Sequence, residues 1–253
     1  MSTTDEKAEA LLADLKPTSP SAAPGQNFLP PHTRRDVPGQ YGSTPIWRAG
    51  EGPAALFVHG WDDTHRIWRH FAQDFLQNTR PVLLMDLPSH GASKVEYCTP
   101  ETASVSVAET CAAEGPIDTI IAHSFGCEAT VRAIAAGAHA DYLVLIAPPL
   151  LDWADYQHLK GHDDETITRA RELLAERGGE IMSRVDFREA LADYKGAILL
   201  VGSQADKSSP LPLIRELANG LASAKLVEDD TLSHRDIALD PRILSEITTF
   251  LGY

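Results

Sequence analysis

The stretch that decides the fold of this chain is residues 120–127, Ile-Ile-Ala-His-Ser-Phe-Gly-Cys. The apolar run that leads into it from Ile117 predicts a short buried strand, and residues 128–136 have the spacing of a helix with one apolar face. Ser124 is therefore predicted to lie in a sharp turn between a strand and a helix. Small residues on either side let the two elements approach closely, and the strained turn lifts the serine hydroxyl above the sheet. These residues alone leave open whether Ser124 is a nucleophile or a helix cap.

The rest of the chain alternates between apolar runs and helical patterns. Continuous apolar runs predict strands buried on both faces, and amphipathic segments between them predict helices, so the fold class is α/β with a predominantly parallel sheet flanked by helices. The predicted strands are 44–48, 54–58, 81–85, 117–121, 142–146, 197–202 and 225–227, and the predicted helices of the sheet region are 63–77, 103–113, 128–136, 211–221 and 241–251.

Two segments depart from this alternation. Residues 1–40 combine a short amphipathic helix over residues 1–16 with Pro-, Ser-, Ala- and Gly-rich sequence, which is the composition of a flexible linker. Residues 150–194 are charged and helix-forming, with helices expected at 166–176 and 185–194, and they are longer than an ordinary connection between strand and helix. We therefore predict a domain over residues 41–253 that contains a helical insertion at residues 150–194.

Composition excludes several classes of partner. The 22 Lys and Arg residues against 36 Asp and Glu residues give a formal net charge of −14, which disfavours nucleic acid and anionic lipid surfaces. Three cysteines without close spacing predict reduced thiols rather than a disulfide framework. The N-terminus has no apolar signal-like segment and no run is long enough to span a membrane, so we expect a cytoplasmic protein.

Three motifs resemble those of the α/β-hydrolase superfamily. Residues 122–126 match its small-x-Ser-x-Gly pattern, with Ala122 where glycine is commoner. His59-Gly60-Trp61 follows a predicted strand as the superfamily's first oxyanion loop does. Residues 86–93 are similar to its Asp-x-Pro-Gly-x-Gly-x-Ser loop, with Ser89 in place of the usual glycine, and we expect this loop to be structural. The resemblance covers about residues 41–253 and implies that the insertion is a lid.

A serine nucleophile needs a base within hydrogen-bond reach and an acid that orients the base. Of ten histidines, only His234 lies beyond the last predicted strand, in a loop that parallel topology places on the same edge as Ser124. The superfamily orders its triad as Ser, acid, His along the chain. Asp206, after the strand at residues 197–202, fits the acid. A family variant takes the acid one strand earlier, which would make it Asp152.

Further residues are predicted to surround the nucleophile. The Phe125 N–H follows it at the start of a helix, and the resemblance assigns the Trp61 N–H as the second oxyanion donor. Candidate pocket residues are His59, His123, Trp153 and Tyr156. For each of them a packing or loop-ordering role is the alternative.

The resemblance implies a serine hydrolase that cleaves carboxylic esters of small molecules through an acyl-enzyme on Ser124. This chemistry requires no cofactor and no metal. Cleavage of a carbon–carbon bond, thioester hydrolysis and perhydrolysis reuse the same three residues and remain open, as does a non-catalytic ligand-binding protein on the same fold. Oligomeric state and acyl preference are not predicted.

Overall fold

One eight-stranded sheet runs through the structure, which is a computed structural model that describes residues 3–13, 17–18, 28–177 and 184–253. The strand order is β1-β2-β4-β3-β5-β6-β7-β8; β1 and β2 are antiparallel to their neighbours, and β3 to β8 are parallel. The strands are β1 Thr33–Val37, β2 Thr44–Ala49, β3 Ala54–Val58, β4 Val82–Met85, β5 Ile117–His123, β6 Tyr142–Ile146, β7 Ala197–Ser203 and β8 Ala224–Asp229. The predicted fold class is confirmed.

Alternating side chains of the central strands feed two apolar clusters, one on each face of the sheet. In β3, for example, Leu56 points to one cluster and Phe57 to the other, and both are fully buried. Because both faces are buried, the strands are continuous apolar runs in the sequence, which is why they could be predicted.

The helices in the described residues are α1 Thr3–Ala13, α2 Arg69–Gln77, α3 Pro100–Glu114, α4 Phe125–Ala135, α5 Trp153–Leu159, α6 Asp164–Glu176, α7 Phe187–Ala190, α8 Leu211–Gly220 and α9 Pro241–Leu251, with short 3-10 helices at His65–Trp68 and Asp236–Ala238.

One strand of the sheet lies before the predicted domain boundary at residue 41. Strand β1 pairs with β2 along its whole length, so the sheet begins within the segment interpreted as linker. Four of its five residues are exposed, because β1 is an edge strand, and it therefore lacks the apolar run by which the other strands were identified. The linker residues 19–27 and the ends of the predicted N-terminal helix, residues 1–2 and 14–16, lie outside the described residues.

Helix α1 packs on α6, the longest helix of the insertion. Ala8, Leu11 and Leu12 of α1 form a separate apolar cluster with Ile167, Ala170 and Leu173 of α6. Arg169 of α6 donates to the Asp5 carboxylate at 2.7 Å and reinforces this contact. The predicted N-terminal helix is thus a packed element.

The insertion contains α5, α6 and α7, and residues 178–183 of it lie outside the described residues. Helix α6 was predicted nearly to its bounds, whereas the helix predicted over 185–194 is a single turn, α7. The chain leaves α7 at Leu191, and the Tyr194 hydroxyl donates to the Ala140 carbonyl beside β6. Among the described residues, no helix combines the length and apolar character needed to span a membrane.

Candidate active site

Ser124 lies at the turn between β5 and α4, with φ 51° and ψ −124°. These angles are uncommon for a residue with a side chain, and such backbone costs about 1–3 kcal/mol. The Ser124 N–H donates to the Ile146 carbonyl of β6 at 2.9 Å, which fixes the turn at the carboxyl edge of the sheet. A Cβ atom at Gly126 would lie 2.5 Å from the His59 carbonyl oxygen, so only glycine lets α4 approach β3 this closely.

A series of hydrogen bonds joins Ser124, His234 and Asp206. The Ser124 hydroxyl lies 2.8 Å from His234 Nε2, and His234 Nδ1 lies 2.6 Å from Asp206 Oδ2. With Nδ1 protonated and donating to the carboxylate, Nε2 is left as the acceptor for the serine proton. The structure therefore brings together the three residues that the sequence selected from three separate strand ends.

Asp206 is held in place by its own loop after β7. Its side chain is fully buried, and its second oxygen, Oδ1, accepts backbone N–H bonds from Ser208 at 2.8 Å and Ser209 at 3.1 Å. The Ser209 hydroxyl donates to the Ala147 carbonyl, which ties the loop to the end of β6. Ser209 was not among the predicted site residues, because no local pattern of the sequence marks it.

Asp152, the alternative acid, has a different position in the fold. It is the N-cap of α5, and its Oδ1 accepts from the Asp155 N–H at 2.9 Å. Among the described residues, His234 Nδ1 is hydrogen-bonded to Asp206 and not to Asp152. The geometry therefore favours the later strand for the acid.

The loop after β3 lies against the serine. A Cβ atom on Gly60 would stand 3.1 Å from the Ser124 Cβ, which shows how closely this backbone approaches the turn at residues 122–126, called the elbow below. Trp61 is partly buried and its ring contacts Phe125 edge to face, with centroids 5.2 Å apart. Phe125 is the first residue of α4, where a backbone N–H has no intrahelical acceptor. The two predicted oxyanion donors thus belong to residues in mutual contact.

His59 orders this loop and is not a pocket wall, which corrects its assignment as a pocket residue. It is fully buried, its Nδ1 donates to the Gly60 carbonyl at 2.7 Å, and its Nε2 accepts the Leu87 N–H at 3.0 Å. Burial lowers the pKa of His59, so the ring is neutral and suited to one donated and one accepted bond.

The loop after β4 is structural, as expected. The buried Asp86 carboxylate accepts from the His65 N–H and ring Nδ1 at 2.7 and 2.8 Å and from the Ala92 N–H at 2.8 Å. Hydrogen bonds and the charge of His65 lower the pKa of Asp86 despite the opposing effect of burial. Ser89 has φ 63°, a left-handed conformation that explains why the resembled family usually has glycine there.

His123 is buried beneath His234 and does not line the predicted pocket floor. Its side chain is only slightly exposed; its Nε2 donates to the His234 carbonyl at 2.8 Å, and its Nδ1 is buried without a hydrogen-bond partner. Burial, together with the charge of His234, lowers the pKa of His123 to about 3. This contact could not be predicted from a local pattern, because the two residues are far apart in the chain.

Trp153 and Tyr156 both lie on α5 of the insertion. Trp153 packs against the α1–α6 cluster, and the Arg171 guanidinium stands 5.4 Å from its ring. Tyr156 is exposed, with the Lys160 ammonium 5.9 Å from its ring. The described contacts therefore assign Trp153 to packing of the insertion and do not support either residue as a pocket wall.

Comparison with family models identifies the class of protein. Residues 55–246 match the model of the alpha/beta hydrolase family, and the chain therefore belongs to that family. The matched region begins in β3 and ends in α9, so it contains all three residues of the hydrogen-bonded series.

Solved structures share the fold at low sequence identity. The Pyrococcus furiosus esterase Pf2001 is 17% identical with a TM-score of 0.70, and the match covers 92% of this chain and 97% of that chain. The esterase RhEst1 from Rhodococcus sp. ECU1013 is 18% identical with a TM-score of 0.68, covering 87% and 98%. A bromoperoxidase from Bacillus anthracis is 15% identical with a TM-score of 0.68, covering 87% and 100%. The comparison with curated proteins returns no match.

Proposed function

We propose that this α/β hydrolase cleaves carboxylic esters of small molecules through an acyl-enzyme formed on Ser124. The observation that carries the proposal is the series Ser124 Oγ, His234 Nε2, His234 Nδ1 and Asp206 Oδ2, in which both hydrogen bonds are shorter than 3 Å. A serine hydroxyl is a weak nucleophile, and this arrangement supplies the base and the orienting acid that it needs.

The reaction follows from the geometry of these groups. As Ser124 Oγ bonds to the ester carbonyl carbon, His234 Nε2 takes the hydroxyl proton and then gives it to the departing alkoxide. Asp206 stabilises the imidazolium that forms and keeps Nδ1 protonated. Water then attacks the acyl-enzyme with His234 again as base, which releases the carboxylic acid and restores the serine.

The negative charge that develops on the carbonyl oxygen requires fixed donors. The backbone N–H groups of Phe125 and Trp61 are suited to this role, because Phe125 opens α4 and Trp61 follows the glycine that packs against Ser124. The dipole of α4 adds partial positive charge at the same point. Loss of one such donor costs on the order of 10²–10³ in kcat.

The names of the similar structures include more than one activity. Two of them are called esterases, which supports an ester substrate, and one is called a bromoperoxidase. Carbon–carbon bond cleavage, thioester hydrolysis and perhydrolysis therefore belong in the substrate panel that tests the proposal.

The first test is turnover of aryl esters of increasing acyl length, measured with the wild type and with Ser124→Ala. Incubation with an aryl phosphonate, followed by intact-mass measurement, should add one phosphonyl group to the wild type and none to Ser124→Ala. We expect Ser124→Ala to lower kcat by on the order of 10⁶. Ester turnover that survives in this variant would refute the nucleophile, and a labelled wild type that cleaves no ester would point to another bond.

The second test compares the two candidate acids. Asp206→Asn removes the charge that stabilises the imidazolium and should lower kcat by about 10⁴. Asp152→Asn is the matched control, because asparagine caps a helix as well as aspartate does and should leave kcat near the wild-type value. If Asp152→Asn has the larger effect, the acid assignment is wrong.

A further inference from the structure

Two consecutive residues at the end of β5 hold the same histidine. Ser124 bonds the ring of His234 through Nε2, and His123 donates from its own Nε2 to the His234 carbonyl oxygen, each at 2.8 Å. The two rings are 5.0 Å apart. Ring and backbone of His234 are therefore both fixed relative to one short piece of strand.

The loop that carries His234 is also anchored after Arg235, where Ile237 and Ala238 are fully buried in the apolar cluster on one face of the sheet. Arg235 pairs with Asp63 at 3.1 Å, but the Arg235 side chain is 66% exposed, and such pairs contribute only about 0–1 kcal/mol. At the start of the loop, the Asp229 carboxylate accepts the N–H groups of Thr231 and Leu232. Among the described hydrogen bonds, the one from His123, which is 4% exposed, ties the His234 carbonyl to the end of β5.

The second ring nitrogen of His123, Nδ1, is buried and has no hydrogen-bond partner among the described residues. It faces the backbone of Gly60, where a Cβ atom would lie 3.0 Å from it. The described hydrogen bond of this imidazole is therefore the one that its Nε2 donates to the His234 carbonyl.

We propose that His123 is a positioning residue, which holds the His234 backbone so that Nε2 stays within proton-transfer distance of Ser124. The proposal rests on the function proposed for the Ser124, His234 and Asp206 series. Because His123 is buried, its replacement should affect the chemical step and leave substrate binding unchanged. A misplacement of about 1 Å at a reacting group can cost on the order of 10² in rate.

The test uses a matched pair of variants at this position. His123→Met keeps the length of the side chain and removes the donor, whereas His123→Gln places an amide N–H near the position of Nε2. We expect His123→Met to lower kcat by about 10- to 100-fold with KM within twofold, and His123→Gln to recover most of the loss. Unfolding midpoints of both variants, measured by circular dichroism, report any general destabilisation.

Two kinetic results would overturn the proposal: wild-type kcat in His123→Met, or equal losses of kcat in both variants together with equal falls in the unfolding midpoint.

A readout that needs no substrate is the downfield proton resonance of His234 Nδ1–H, assigned by its disappearance in Asp206→Asn. It should shift or broaden in His123→Met and persist in His123→Gln, and an unchanged resonance in His123→Met would also refute the role. If esters are not substrates at all, the wild type fails the turnover assay while this resonance still decides the role of His123.

Discussion

At the scale of the residue, Ser124 has a strained backbone conformation that costs stability and presents its hydroxyl at the carboxyl edge of the sheet. Ser124 has φ 51° with a side chain attached, and the surrounding bonds hold it there: its N–H is tied to Ile146 and its carbonyl accepts from the Cys127 N–H at 2.8 Å. Strain of this kind persists only where neighbouring structure imposes it. The neighbours at the elbow are therefore as important to the site as the serine itself.

Replacing Ser124 by glycine should separate strain from chemistry. Both Ser124→Gly and Ser124→Ala lose the nucleophile, but only glycine relaxes at this φ. After the entropy cost of glycine, we expect Ser124→Gly to be more stable than Ser124→Ala by about 1 kcal/mol, or roughly 2–4 °C in unfolding midpoint. Calorimetry of the two inactive variants measures this, and an alanine variant that is equally stable would mean that the turn is unstrained.

At the scale of the element, the site depends on how closely α4 packs against β3. The Cβ that Gly126 lacks would meet the carbonyl oxygens of His59 and Val58 at 2.5 and 2.7 Å. These are backbone atoms of a buried strand end, and they cannot move aside as a flexible side chain would. The distance between helix and strand is thus set by one missing methyl group.

Gly126→Ala should push α4 away from the sheet and carry Ser124 with it. We expect a loss of stability of about 3 kcal/mol and a fall in kcat of at least tenfold, because the serine moves relative to His234. Gly137→Ala, just beyond the other end of α4, is the control: it meets open space but has φ 103°, so it should cost about 1–2 kcal/mol and leave kcat unchanged. Equal kcat in the two variants would argue against the packing role of Gly126. Urea unfolding and steady-state kinetics provide both quantities.

At the scale of the whole molecule, the described residues of the N-terminal helix pack on the insertion and not on the edge of the sheet that carries Ser124. Leu11 of α1 is buried against α6, whereas the hydrogen bonds of Ser124 and His234 involve other elements. Local stability can therefore change at α1 and α6 without disturbing those bonds.

Leu11→Ala should loosen α1 from α6 by about 2–5 kcal/mol and increase amide exchange in both helices. We expect kcat for a short aryl ester to stay within about twofold of the wild type. Glu6→Ala, at an exposed position of the same helix, should change neither property. Hydrogen exchange followed by mass spectrometry measures the loosening. A collapse of kcat in Leu11→Ala would show that α1 completes the site.

Buried histidines should also give the whole fold a dependence on pH. Burial lowers the pKa of His90 to about 4, that of His123 to about 3, and that of His59 below its ordinary value. Between those values and the unfolded pKa near 6.5, the unfolded chain binds protons that the folded chain does not. Stability is therefore complete above about pH 6.5 and declines as the pH falls.

His90 and His123 should each contribute on the order of 1 kcal/mol of lost stability per pH unit as the pH falls from about 6.5 toward their folded pKa values, and His59 should act in the same direction. Urea unfolding at pH 7.5, 6.5 and 5.5 measures how the free energy of unfolding changes with pH. His90→Gln, whose side chain cannot titrate, should reduce this slope by the contribution of one histidine. A free energy of unfolding that stays constant over this range would contradict the burial of neutral histidines.

The sequence by itself predicted seven of the eight strands, the elbow, and Ser124 and His234 as a pair, with Asp206 and Asp152 left as candidate acids. Buried parallel strands are continuous apolar runs, and the elbow residues are adjacent in the chain, so both are local signals. Only the tertiary structure decided the rest. It placed the polar edge strand β1 in the sheet, packed α1 on α6, made Asp152 a helix cap, and joined the His123 ring to the His234 carbonyl. These features depend on contacts between residues distant in the chain, and no local pattern of side chains encodes which distant groups will meet.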